Sequence, residues 1–159
     1  MSRWTHIAGL VRIDHLSLSM FGKSDTFGKL SVVSTFSENI PKGSEGPALL
    51  HVHAWRVASM EKHDWEATDE LMEGSVYWGD LIVCGDLRDV GDASDELDGI
   101  KTWFSDCCST LQEKYPGTLI RQAILQINVE YKDTILYSWT GNPDESWITT
   151  ILPREEEGS

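Results

Sequence analysis

"DELDGIKTWFSDCCSTLQEKYPGTLIRQAILQINVEY", residues 95–131, changes its apolar period once, and the fold follows from that change. Up to Tyr115 the apolar side chains of Leu97, Ile100, Trp103 (with Phe104), Cys107 and Leu111 recur three or four positions apart. That spacing lines one face of an α-helix. Pro116 lacks the N–H a helix needs and Gly117 turns easily, so the helix predicted over 93–115 stops there. From Thr118 the period falls to two, and Ala123, Leu125, Ile127, Val129 and Tyr131 alternate on one side of a predicted strand. A one-sided helix followed by a one-sided strand calls for a helix laid on a sheet.

Downstream, "KD" (132–133) reads as a tight turn into the strand "TILYSW" (134–139), and "SWITTIL" (146–152) holds a final short strand. The end, "PREEEGS" (153–159), has the composition of an acidic disordered tail. Upstream, "WTHIAGLVRIDHL" (4–16) reads as a first strand with Ile7, Val11 and Ile13 on one face. "ALLHVHAWRVA" (48–58) and "SVYWGDLIVCGDL" (75–87) read as a second and a third. A short helix is placed within 17–37, although Gly22 and Gly28 weaken it, and "PKGSEGP" (41–47) is a loop by its turn residues. The order β-α-β-β-α-β with an added C-terminal hairpin predicts an α+β, ferredoxin-like sandwich with a mainly antiparallel sheet. No repeat or linker composition interrupts it, so 1–152 is expected to be one domain and 153–159 its tail.

Composition narrows the function. A chain of 159 residues with 40% hydrophobic residues and seven tryptophans has material for a real core. No stretch reaches the roughly 18 apolar residues of a membrane span. The N-terminal run is too polar to be expected as a secretory signal. Cys84, Cys107 and Cys108 suggest neither a disulfide framework nor a zinc spacing, which points to a reducing, cytoplasmic setting with thiols as core fillers. The net charge of −13 argues against nucleic acid or anionic lipid as a direct ligand. The acids are also concentrated: residues 61–99 hold thirteen of them, opposed only by Lys62 and Arg88.

Within this stretch, "GDLRDVGDASDELDG" (85–99) resembles a calcium loop only superficially, because Ser105 stands where the late bidentate Glu belongs. It runs straight into the predicted helix. Asp92 or Ser94 suits its N-cap, and Asp95, Glu96 and Asp98 suit the positive end of its dipole. The "GKS" at 22–24 lacks the upstream glycine of a phosphate loop, Ser17 standing there instead. His51 and His53 share a strand face at a spacing that can hold a metal, with Asp86 as a third ligand, but nothing closes such a site and no metal is expected. Trp103 fits the helix core. Trp4, Trp55, Trp78 and Trp139 suggest a cluster on the sheet, Trp147 covers the core's edge, and Trp65 sits among acids.

Three stretches, "WTHIAGLVRID" (4–14), "GSEG" (43–46) before a strand, and "VCGDLRDV…IRQAILQINVEY" (83–90 and 120–131), resemble a group of small phage and prophage proteins. The resemblance covers about two-thirds of the chain, omits the acidic insert, and implies a ferredoxin-like fold and a phage setting. It carries no catalytic residue. The leading expectation is a non-enzymatic inhibitor without cofactor, which occupies the basic, nucleic-acid-binding site of a host protein such as a defence nuclease. Its binding residues would be Glu61, Asp64, Trp65, Glu66, Asp69, Glu70 and Glu73. Two alternatives stand beside it. One is a binder of nucleotide-like ligands in a tryptophan-lined crevice of a homodimer, with Arg12, Arg56, Lys101 and Arg121 on the phosphates. The other is a metal-dependent hydrolase built on His51, His53 and Asp86.

Overall fold

The computed structural model describes residues 3–16, 29–44, 51–55, 76–141 and 146–155. Its strands are β1 (Trp4–Leu16), β2 (His51–Trp55), β3 (Val76–Arg88), β4 (Thr118–Val129), β5 (Thr134–Trp139) and β6 (Ile148–Leu152). Helices α1 (Lys29–Ser37) and α2 (Ser94–Lys114) lie between β1 and β2 and between β3 and β4. The class is α+β. The strands form one open sheet in the order β2-β3-β1-β4-β5-β6, every neighbouring pair antiparallel. No described helix is long and apolar enough to cross a membrane.

β1 is the axis of the sheet. Its odd positions Thr5, Ile7, Val11, Ile13 and His15 are buried, while His6, Ala8, Leu10 and Arg12 point to the other, exposed face. The period of two continues into β3 with Leu81, Val83 and Leu87 and into β4 with Ala123, Leu125, Ile127 and Val129. The phase slips once, between Arg12 and Ile13, where β4 carries Arg121 as an extra residue. This bulge keeps Ile120 and Thr118 inward.

Both helices cover the inner face. α2 buries Ile100, Trp103, Phe104, Cys107, Cys108 and Leu111, with Leu97 partly buried at its start. Each large apolar side chain so buried contributes about 1.5–3 kcal/mol. Phe104 reaches the sheet over Gly9, where a Cβ would stand 2.9 Å from the Leu125 side chain. α1 adds Val32 and Phe36, whose ring meets Phe104 at 6.1 Å and Trp103 at 6.4 Å. The helix ends where Asn39 takes a left-handed conformation (φ 53), and the Trp103 indole N–H donates to the Glu38 carbonyl at 3.2 Å.

Several expectations are corrected by the structure. Ala93 occupies the N-cap of α2 and has no side-chain acceptor. Ser94 is already helical, and Asp92 turns away to Arg3. Glu96 does the capping by reaching back, its carboxylate accepting from the N–H groups of Gly91, Asp92 and Ala93 at 2.8, 3.1 and 3.3 Å. Tyr131 does not continue the β4 face. It lies in the turn with φ 66 and is 70% exposed, because Lys132 closes the turn onto the Val129 carbonyl at 3.0 Å. Cys107 and Cys108 are buried fillers as expected, but Cys84 is exposed on the outer face. The expected sheet cluster of tryptophans divides. Trp139 is opposite Ala123 on the helix side, whereas Trp4, Trp55 and Trp78 hold positions paired with Arg88, Asp80 and Asp14 in the opposite phase.

Candidate binding surface

Two features outside the core can meet a partner: the acids and the outer face of the sheet. The acids from 89 to 98 belong largely to one internal knot joining the β3–α2 loop to the ends of β1 and β4. Asp89, at φ 57, accepts from the Ser44 hydroxyl at 2.7 Å and the Arg3 N–H at 3.1 Å. These two bonds, in that order, hold its carboxyl below the usual range, with Arg88 adding to them. Asp92 pairs with Arg3 and lies 3.7 Å from the Lys132 ammonium. The same ammonium donates to the carbonyl oxygens of Gly91 and Asp92 at 2.9 and 3.3 Å. Asp98 pairs with Lys101 at 3.1 Å, and Asp95 and Glu96 lie in the first turn of α2. The Thr5 hydroxyl anchors the loop from below through the Val90 carbonyl.

Gly91 makes the knot possible. Its φ of +97 is open to glycine, and a Cβ there would stand 2.8 Å from a Val129 methyl and 3.0 Å from the Thr5 hydroxyl.

The upstream acids of the expected site, Glu61, Asp64, Glu66, Asp69, Glu70 and Glu73, lie with Trp65 outside the described residues. Their place in the chain is nonetheless defined: they belong to the connection that leaves β2 at Trp55 and enters β3 at Val76. β2 is the edge strand on that side of the sheet.

No described element packs on the outer face. Its middle is apolar, a shallow depression lined by Ala8, Leu10, Ile82, Ile124, Leu136 and the stem of Gln126. Leu10 is 41% and Ile82 36% exposed. Polar pairs stand at either end of this strip. His6 Nδ1 lies 2.6 Å from the Asp86 carboxylate, and Arg121 Nε donates to Asp14 at 2.5 Å. An apolar centre with a polar rim is the usual composition of a protein-binding surface.

The chemistry considered for the alternatives finds less to build on. Asp86, the third metal candidate, is engaged by His6, while His51 and His53 hold positions paired with Cys84 and Ile82. Among the described residues, no three His, Cys, Asp or Glu side chains are placed to hold a metal ion. Burial pushes the Cys107 thiol up to about 12 and the Cys108 thiol higher still, which leaves both without nucleophilic thiolate at neutral pH. The ring of Trp147 stacks on Tyr137 at 4.7 Å and on Trp139 at 6.1 Å, and meets the edge of Phe104 at 5.7 Å. These rings pack on each other at the edge of the core. Sequence reasoning missed the outer face itself, because a half-exposed strand row of Leu10, Ile82 and Ile124 reads like any other apolar alternation. Compared with known proteins, the chain matches no family model, no curated protein and no solved structure.

Proposed function

We propose that this protein is a non-enzymatic, phage-encoded binding protein that occupies a basic, nucleic-acid-binding site of a host protein through the acidic β2–β3 connection. The observation that carries the reading is the division of the acids. Those at 89–98 are largely engaged by Arg3, Ser44, Lys101, Lys132 and the amides before α2. The six acids around Trp65 belong to a connection between two strands, where no described helix end calls for negative charge. Acids gathered in one connection can steer a cationic partner. The apolar outer face of the sheet is a second surface open to contact. The order β2-β3-β1-β4 supports a ferredoxin-like frame, to which β5 and β6 add a hairpin at the β4 side.

Immobilised protein challenged with the heparin-retained, basic fraction of a bacterial host extract tests the reading. Duplex DNA should displace what is captured. Replacing Glu61, Asp64, Glu66, Asp69, Glu70 and Glu73 by their amides should weaken capture at least tenfold. Capture that neither DNA nor the amide variant reduces would contradict the proposal.

A further inference from the structure

β6 ends the sheet, paired with β5 on one side and with no described strand on the other. All five of its residues are exposed, Ile148 at 48%, Ile151 at 60% and Leu152 at 44%. Proteins usually blunt such an edge with a charge, a proline or a bulge. "ITTIL" carries none of these, in a chain whose residues are 25% charged. Pro153 follows only after the strand has ended. The opposite edge, β2, is unlike it, because it leads directly into the six-acid connection and would repel its own copy.

The order of residues in β6 suits one occupant in particular. Turned about Thr150, the strand meets a second copy of itself in antiparallel register. Ile148 then faces the second copy's Leu152 on the outer side, Thr149 faces its Ile151 on the helix side, and the two Thr150 residues meet at the axis. Each apolar side chain gains an apolar or β-branched neighbour, the pairing that stabilises sheets. No charge is brought opposite a like charge within the strand.

We infer that the protein self-associates through β6, two copies joining edge to edge into one continuous sheet. Five residues at about 3.4 Å each give a contact of only about 17 Å in length, so the dimer is weak and forms reversibly with concentration. The net charge of −13 on each copy opposes the approach, as do Asp144 and Glu145 before the strand and Glu155, Glu156 and Glu157 after it. Salt therefore strengthens this association, whereas it weakens binding to a basic partner.

Sedimentation velocity on the full chain, over a concentration series at low and high salt, tests the inference. The wild type should shift from monomer toward dimer with concentration, and further with salt. Thr150→Lys and Thr150→Glu place like charges across the axis. Each alone should weaken dimerisation at least tenfold, with an unchanged circular dichroism spectrum showing that the exposed substitution leaves the fold intact. Mixing the two variants should restore dimers, since Lys then faces Glu. A wild type monomeric throughout, dimers that either single variant leaves unchanged, or a mixture that stays monomeric would overturn it.

Discussion

Gly91, Glu96 and His15 show at the level of single residues how the fold is held. Gly91→Ala introduces a methyl where φ is +97 and Val129 stands 2.8 Å away, so it should cost about 1–3 kcal/mol in urea unfolding. Glu96→Ala removes the acceptor for three N–H groups at the start of α2 and should cost about 1–2 kcal/mol, whereas Ser94→Ala should cost well under 0.5 kcal/mol. An equal loss from both would return the cap to Ser94. The sequence made the acid-rich helix start legible. It did not reveal which acid caps it, because the choice depends on Arg3 and Lys132 drawing Asp92 away, and both lie far along the chain. His15 is a pH-dependent weak point. It is 3% exposed, its Nδ1 lies 2.7 Å from the Thr118 hydroxyl, and burial lowers its pKa from 6.5 to about 4. Above pH 6.5 the imidazole is neutral in both folded and unfolded chains. As pH falls toward about 4 only the unfolded chain takes up the proton, so stability drops, by about 3 kcal/mol at most. His15→Gln should flatten this part of the stability–pH curve. An unchanged curve would show that His15 is not its source.

At the scale of elements, α2 and β4 were the most legible because each keeps one period over its full length. Leu97, Ile100, Phe104 and Leu111 turn to the sheet as their spacing requires. Phe104→Ala should be among the most damaging substitutions, about 3–5 kcal/mol by thermal or urea unfolding, since its ring is fully buried between Phe36, Trp103 and Trp147. A cost below 1 kcal/mol would mean that α2 does not pack on the sheet as described. Tyr131 was illegible because alternation says nothing about where a strand stops. A turn that closes on Val129 with a left-handed tyrosine leaves no mark in the apolar pattern. The tryptophans misled for a related reason. Trp139 belongs not to a sheet-face cluster but to the side wall of the core, where it stacks on Trp147, the ring expected at the core's edge, and only the β4–β5 register reveals that.

At the scale of the whole molecule, the charge of −13 and the topology together define two acidic populations. One fastens the β3–α2 loop to the chain ends of β1 and β4, and the other belongs to the connection that runs from the edge strand β2 into the start of β3, the end of that strand away from the β3–α2 loop. The excess of acid was plain in the sequence, but its division was not, since both populations read as one run from Glu61 to Asp98. The division has a direct test in the association rate with the captured basic host component, measured against ionic strength for the wild type and two variants. Amides at Glu61, Asp64, Glu66, Asp69, Glu70 and Glu73 should slow association at least tenfold at low salt, flatten its salt dependence and leave the melting temperature nearly unchanged. Amides at Asp92, Asp95, Glu96 and Asp98 should lower the melting temperature by several degrees while association stays within about threefold of wild type. Identical association rates for all three proteins at every salt concentration would contradict the assignment of the β2–β3 acids to binding.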